Sequence, residues 1–196
     1  MKATDILVFP NIRRKNGEAM FIASVERLLA KFQYFLDPKD RILDLGSGTC
    51  MFTRILRSKG YDITPVDIKN KSYYADVTPI IYDGENLPFK RNSFDVCMLI
   101  AILHHTKNPE AVLKEAMRTS RKIILLEDIY TNIFQKYYTF FIDSLLNKEF
   151  IGHPHSNKRD REWHKLFKKL NLKVEKKEYT KAYGFLQNAT YYLQAK

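Results

Sequence analysis

Arg41-Ile-Leu-Asp-Leu-Gly-Ser-Gly-Thr-Cys50 is the stretch that decides the fold of this chain. Arg41–Leu45 reads as a short apolar strand that runs into a tight turn. Gly46 and Gly48 carry no side chain, so a ligand can come close to the backbone of that turn. Met51–Lys59 then reads as a helix closed by Gly60, which puts the turn at a helix N-terminus. Strand, glycine turn and helix in that order are the opening of an α/β unit with a parallel sheet.

The same alternation continues downstream. Asp62–Ile68 reads as a second strand, with Pro65 awkward for a central ladder. Pro79–Tyr82 is a third, short strand. Phe94–Ile100 is almost continuously apolar, as in a strand covered on both faces. Asn108 caps a helix whose first residue is Pro109 and whose buried face is Val112, Leu113, Ala116 and Met117. Lys122–Leu126 is a fifth strand. Upstream, Phe21, Val25, Leu28, Leu29, Phe32 and Leu36 recur at helical spacing, so residues 1–37 read as a helical segment with its helix over 18–36. Beyond residue 130 the pattern changes. Ile133, Phe134, Tyr137, Phe140, Phe141 and Leu145 mark an aromatic helix over 131–147, followed by a polar loop over 148–159. Trp163, Leu166, Phe167 and Leu170 mark a further helix. Leu172–Tyr179 and Ala189–Gln194 read as an antiparallel pair joined by a turn containing Gly184. With no internal repeat and no linker, residues 1–196 read as one domain: a mostly parallel sheet with an antiparallel final strand, flanked by helices.

Acidic residues stand at successive strand ends. Asp67 closes the second strand, 21 residues after Gly46, where a carboxylate can accept both hydroxyls of a ribose. Asp83 closes the third, within Tyr82-Asp-Gly-Glu-Asn-Leu-Pro-Phe89, where a carboxylate can accept from an adenine amine. A dinucleotide fingerprint wants glycine at the sixth position of the loop, and here that residue is Met51. Asp44, just before the loop, suits an ammonium and repels a pyrophosphate. A nucleoside bearing a cation, such as S-adenosylmethionine (SAM), therefore fits better than NAD.

These residues resemble the motifs of the class I SAM-dependent methyltransferases, in particular the small-molecule and quinone-type branch, whose fold is a Rossmann-like sheet. Ile42-Leu-Asp-Leu-Gly-Ser-Gly48 is similar to their first motif and Val66-Asp-Ile68 to their second. Asp83 with Asn86-Leu-Pro-Phe89 is similar to the third, and Phe94-Asp-Val with Leu103-His-His105 to the fourth. The resemblance spans roughly residues 38–130. It implies that Asp44 and Gly46 contact the methionine portion of SAM and Asp67 the ribose, with Ser47, Gly48 and Ile68 also in the cofactor site. Asp83 would contact the adenine, with Gly84 and Glu85 beside it in the cofactor site, and the backbone near Ile100 and Ala101 would face the methionine amino group. Cys50 departs from the pattern, standing where a third glycine is common.

Methyl transfer from a sulfonium relies mainly on positioning, and a base is needed only when the acceptor must lose a proton. Candidates for that role or for acceptor contact follow the strand ends: His104 and His105, then Glu127 with Asp128. His153 joins them from the loop Gly152-His-Pro-His-Ser-Asn157. His153 and His155 lack a spaced carboxylate partner, so no metal site is expected. In the resembling enzymes the insertion after the fifth strand often walls the acceptor pocket. Residues 131–160 would then cap the acceptor side with Tyr130, Phe134, Tyr137, Tyr138 and Phe141, which favours an apolar or aromatic acceptor. A packed core helix is the plainer reading of the same residues.

Composition narrows the remaining choices. The only two cysteines, Cys50 and Cys97, make no disulfide framework and fit a reducing, cytoplasmic setting. No apolar run reaches the roughly 18 residues of a membrane span, and the first residues lack a secretory-signal pattern. The net charge is +11, of which residues 131–196 supply +7 with 13 basic and 6 acidic side chains. Three functions follow in order. The first is methylation of a small-molecule or lipid-like acceptor. The second is methylation of tRNA or another RNA held by the basic last third. Against it, the fourth strand lacks an Asn/Asp-Pro-Pro-aromatic ending and no Pro-Cys nucleophile occurs. The third is SAM binding without catalysis.

Overall fold

A computed structural model of the chain describes residues 6–7, 17–32, 34–147, 156–182 and 186–195. Eight strands form one sheet in the order β1-β7-β8-β6-β5-β2-β3-β4. They are β1 (Ile6–Leu7), β2 (Arg41–Leu45), β3 (Asp62–Asp67), β4 (Ile80–Ile81), β5 (Phe94–Ile100), β6 (Ser120–Ile129), β7 (Leu172–Ala182) and β8 (Leu186–Ala195). The helices are α1 (Gly17–Phe32), α2 (Met51–Ser58), α3 (Pro109–Thr119), α4 (Ile133–Asn147) and α5 (Asp160–Lys169).

From β4 to β6 every pairing is parallel, and β8 enters antiparallel between β6 and β7. The strand order reverses direction at β2 and β5, so the crevice of the sheet opens beyond their carboxyl ends, at a topological switch point. The two faces of the central strands feed separate cores. Cys97 and Leu99 of β5 with Ile123 and Leu125 of β6 join α3 and α5 residues such as Leu113, Trp163 and Phe167. Val96 and Met98 with Ile124 and Leu126 pack instead against Val25, Leu28 and Phe32 of α1 and Leu56 of α2. This alternation is the period-2 geometry of a strand, with both faces apolar because both are covered.

Pro65 proves compatible with its strand. The Val66 carbonyl accepts from Gly46 N–H at 2.8 Å, on the β2 side, while the Asp67 carbonyl accepts from Tyr82 N–H at 3.1 Å, beyond β4. Pro65 lies opposite Asp44 in the register. By alternation its nitrogen faces the β4 side, like Asp67, and β4 begins its pairing only at Val66. No ladder donor is missing there.

Several elements differ from the sequence reading. The N-terminal segment is not helical throughout, because Ile6–Leu7 pairs in parallel with Lys181–Ala182 of β7, and α1 stops at Phe32. Strand β6 extends to Ile129. Glu127 and Asp128 therefore sit inside the ladder opposite Ala189 and Asn188, rather than at its end. The added length comes from pairing with β8, a long-range partner that local hydrophobicity does not report. The Gly184 turn and the loop carrying His153 and His155 lie outside the described residues. Helix α4 packs its Thr139 inward, but Ile133, Phe134, Tyr137 and Phe141 are exposed, so it is not a wholly buried core helix.

The last third completes the fold. Trp163, Phe167, Tyr191 and Leu193 are at most 1% exposed within the core beneath α3. A fragment ending at Tyr130 loses all four and leaves the β6 edge unpaired. It is expected to show no cooperative thermal melt by circular dichroism, whereas the full chain melts in one transition.

Candidate active site at the carboxyl ends of the strands

The glycine turn after β2 is built from unusual backbone conformations. Gly46 has φ +77° and Gly48 φ +52°, conformations that carry no steric cost without a Cβ. Cys50, the N-cap of α2, also lies in the left-handed region at φ +60° and is fully buried. This explains why a glycine is common at that place in the resembling motif. A Cβ on Gly46 would meet the Ile102 side chain, with its nearest atoms at 2.7 and 2.8 Å. The residues after β5 thus press directly on the turn after β2.

Hydrogen bonds bring the neighbouring loops to the same place. Gly46 and Ser47 N–H donate to the Val66 carbonyl at 2.8 and 3.1 Å. Gly48 N–H donates to Asp67 Oδ2 at 2.8 Å, and Lys69 N–H reaches Asp67 Oδ1 at 3.3 Å. A carboxylate has about four lone-pair sites, so Asp67 keeps acceptor capacity for a ligand hydroxyl pair. Ile68, 54% exposed, lies over Gly84, whose Cβ position is 3.4 Å from the Ile68 Cγ2. Gly84 itself has φ +87°. Asp83 folds back on its own turn, with Oδ1 accepting from Glu85 and Asn86 N–H at 2.8 and 2.7 Å. Those backbone donors hold its carboxyl below the usual range. Glu85 is exposed and Ile100 half-buried. The turn is held from behind by α3: Glu115 Oε2 accepts from Leu87 N–H, and Arg118 donates to the carbonyls of Leu87 and Phe89.

Asp44 lies beneath the turn, 3% exposed, and accepts from the Thr53 hydroxyl at 2.6 Å. Burial, with a smaller contribution from the nearby Asp67, pushes its carboxyl up to about 6 against the Thr53 hydrogen bond. Two carboxylates behind one glycine turn make a negatively polarised hollow, suited to a cationic group and hostile to a pyrophosphate.

The proton-transfer candidates divide. His104 and Glu127 are 1% and 0% exposed, with His104 Nδ1 and Glu127 Oε2 at 2.6 Å. Glu127 Oε1 accepts from Leu103 N–H at 2.7 Å. Ser156 then ties the segment before α5 to this turn, through its N–H to the His104 carbonyl and its hydroxyl to the Leu103 carbonyl. His105 is half-buried and its ring centroid lies 4.1 Å from that of His104. Asp128 accepts a close hydrogen bond from Asn188. His153 is outside the described residues. Among the described residues no three His, Cys, Asp or Glu side chains gather as a metal site.

The structure thus brings Asp44, Gly46, Ser47, Gly48 and Asp67 together at the glycine turn, with Ile68 against Gly84 and Asp83 on the adjoining turn. Ile102, Thr53 and Arg118 were not read from the sequence. The Glu115–Arg118 spacing of three on a helix was a usable signal, whereas the Ile102 contact depends on packing between strands.

Residues 43–122 match a family described as a methyltransferase domain. That segment, about two fifths of the chain, is similar to the methyltransferase domains of this family. A demethylmenaquinone methyltransferase of Corynebacterium glutamicum is 32% identical over 90 residues, 44% of this chain and 39% of that protein. An uncharacterized protein of Methanocaldococcus jannaschii is 33% identical over 86 residues, 43% of this chain and 42% of its own length. The aligned part thus spans about two fifths of the length of these relatives. Among solved structures, a Pyrococcus horikoshii protein superposes with a TM-score of 0.67 at 20% identity, covering 96% of this chain and 95% of that one. The magnesium protoporphyrin IX methyltransferase of Synechocystis, solved with bound S-adenosylhomocysteine, superposes with a TM-score of 0.64 at 14% identity over 89% of this chain and 83% of its own. At such identities the likeness establishes the fold, and the fold is shared with the [4+2]-cyclase SpnF, at a TM-score of 0.66 and 11% identity over 94% and 84% of the two chains.

The turn geometry predicts a contrast between two glycines. Gly46→Ala meets both a positive φ and the Ile102 side chain, and should lower stability by roughly 1–3 kcal/mol. Gly60→Ala has φ +88° but nothing within 4 Å of the new Cβ, so it should cost only the backbone strain of about 1–2 kcal/mol. Paired urea denaturation curves check the order.

Proposed function

We propose that this chain binds SAM in the crevice between the Gly46–Gly48 turn, Asp67 and Gly84, and transfers its methyl group to a small-molecule, lipid-like acceptor. The observation that carries this reading is the pairing of a buried, cation-seeking Asp44 with a ribose-type acceptor, Asp67, hydrogen-bonded to the same glycine turn. Asp44 would face the ammonium of the methionine portion, and the open backbone of Gly46–Gly48 would run along that portion. Asp67 would take the ribose hydroxyls, with Ile68 and Gly84 against the adenine and Asp83 at its amine. When bound, SAM supplies a methyl whose bond to sulfur breaks as the acceptor's lone pair forms a new bond to carbon, the sulfur keeping the old pair and losing its charge. The protein's contribution is alignment and exclusion of water.

His104 and Glu127 act in this reading as positioning residues. Their mutual bond and the Leu103 N–H contact fix the turn that carries Ile102 onto Gly46. The half-buried His105 is the imidazole placed to take a proton from an acceptor hydroxyl or amine, and His153 is a second candidate from the loop before α5. A small-molecule acceptor is favoured by the likeness to the demethylmenaquinone methyltransferases.

Two measurements test the cofactor site. Isothermal calorimetry should show SAM and S-adenosylhomocysteine binding to the wild type, and Asp67→Ala should weaken it by roughly 1–3 kcal/mol through the lost charged hydrogen bonds. Unchanged affinity would count against the ribose assignment.

Asp44 makes the binding pH-dependent. Its carboxyl is raised from an ordinary value near 4 to about 6 in the folded chain. Below about pH 4 it is protonated whether folded or not. Between the two values the folded state alone holds the proton, and above about 6 the buried charge costs on the order of 3 kcal/mol of stability. A cation beside it relieves that cost. SAM affinity should therefore rise by about ten-fold from pH 5 to pH 7 with release of a proton, and Asp44→Asn should flatten the profile. A flat wild-type profile would remove Asp44 from the cation site.

A further inference from the structure

Helix α4 carries its apolar stripe on the wrong side for a helix that serves only as core. Ile133, Phe134, Tyr137 and Phe141 are 49%, 84%, 63% and 58% exposed. At about 100° per residue these four fall within one continuous arc of about 100°, the width of the stripe that an ordinary helix buries. The inward side is held by Thr139, fully buried, and by Tyr138, which packs against the core shared with α1. The outward aromatics are therefore fixed in place by the packing of the opposite face.

Cations flank the arc. Lys136 Nζ lies 5.5 Å from the Phe140 ring centroid and 5.7 Å from that of Tyr130, and the Arg159 guanidinium lies 5.5 Å from the same Tyr130 ring. Lys158 bridges to Ile129 at the end of β6. Among the described residues none of these three has an acidic side chain as ion-pair partner. Among the described residues, then, no ion pair offsets these three cations, two of which stand against Tyr130 and Phe140 where α4 leaves β6.

We infer that the outward face of α4, with Lys136, Lys158 and Arg159, is a docking surface for an anionic lipid bilayer. Aromatic and aliphatic side chains along one helical face enter the headgroup boundary, while adjacent cations pair with anionic headgroups. The size of the patch supports this over a second copy of the chain. Four side chains exposed to this degree present on the order of 500 Å², short of the roughly 800 Å² per partner of a stable interface. Helix α4 also begins three residues after Tyr130, at the carboxyl end of β6, on the side where the crevice opens. A chain seated this way would meet a lipid-like acceptor at the membrane surface, a consequence that rests on the function proposed above, whereas the docking surface itself rests on α4.

Cosedimentation with vesicles tests it directly. Wild-type chain should pellet with vesicles of phosphatidylcholine and phosphatidylglycerol at 3:1 and not with phosphatidylcholine alone, and binding should fall between 50 and 300 mM salt, as surface charge is screened. Phe134→Ser with Phe141→Ser should lower the partition coefficient at least about ten-fold, as should Lys136→Glu with Arg159→Glu. The serine variant changes exposed positions and the charge reversal half-buried ones outside the crevice, so the melting curves and SAM affinities of both should match the wild type. SAM binding without vesicle binding overturns the docking surface and leaves the cofactor site standing. Vesicle binding without SAM binding does the reverse. Equal binding by the serine variant, or a wild-type dimer that this variant dissolves in analytical ultracentrifugation, also overturns the inference.

Discussion

The hydrogen bond from Gly48 N–H to the Asp67 carboxylate is the contact on which the crevice depends. It joins the turn after β2 to the end of β3, beside the two donations from Gly46 and Ser47 to Val66. Without those bonds the turn would have three backbone donors to satisfy at the mouth of a sheet, where burial makes each unmade bond costly. With them, the glycines hold left-handed conformations that no larger residue takes without strain. In the proposed cofactor site the same carboxylate would take the ribose hydroxyls, so stability and ligand geometry would be set by the same atoms.

That arrangement is held from two directions. Ile102 presses on Gly46 from the β5 side, and it does so because Glu127 binds both His104 and Leu103 N–H. On the other side, Glu115 and Arg118 of α3 hold the Leu87–Phe89 backbone, and with it the turn begun by Asp83. A buried pair such as His104 and Glu127 adds little net stability when made and costs several kcal/mol when one partner is removed. Their effect is therefore on uniqueness: one register for the turn after β5 and one path for the loop after β4.

Much of this was legible in the sequence because it is local. Alternating apolar strands and amphipathic helices report their own periods, and Asn108-Pro109 announces a helix start without reference to anything distant. The glycine turn and the acids at Asp67 and Asp83 could be placed at strand ends from spacing alone. What the sequence withheld was long-range. The extension of β6 through Glu127 and Asp128 comes from its ladder with β8, more than fifty residues away. The pairing of Ile6–Leu7 with β7 spans nearly the whole chain. The orientation of α4 was also hidden, since an aromatic-rich helix gives the same pattern whether its widest apolar arc faces a core or not.

The reading of His104 and Glu127 shows how burial revises a chemical assignment. A histidine and a glutamate at adjacent strand ends look like a base and its orienting partner. Here both are removed from solvent, and each Glu127 oxygen is already engaged, one by an imidazole and one by a backbone N–H. A group that must receive a proton from an acceptor has to reach it, within hydrogen-bond distance or through one water. Glu127 is fully buried and holds the turn, so in the proposed reading its contribution would reach the crevice through Leu103 and Ile102 rather than through a proton. Methyl transfer tolerates this well, because the leaving sulfur needs no proton and alignment of carbon between donor and acceptor supplies most of the rate. In the proposed function, a rigid turn pressed against a glycine is the form such alignment would take.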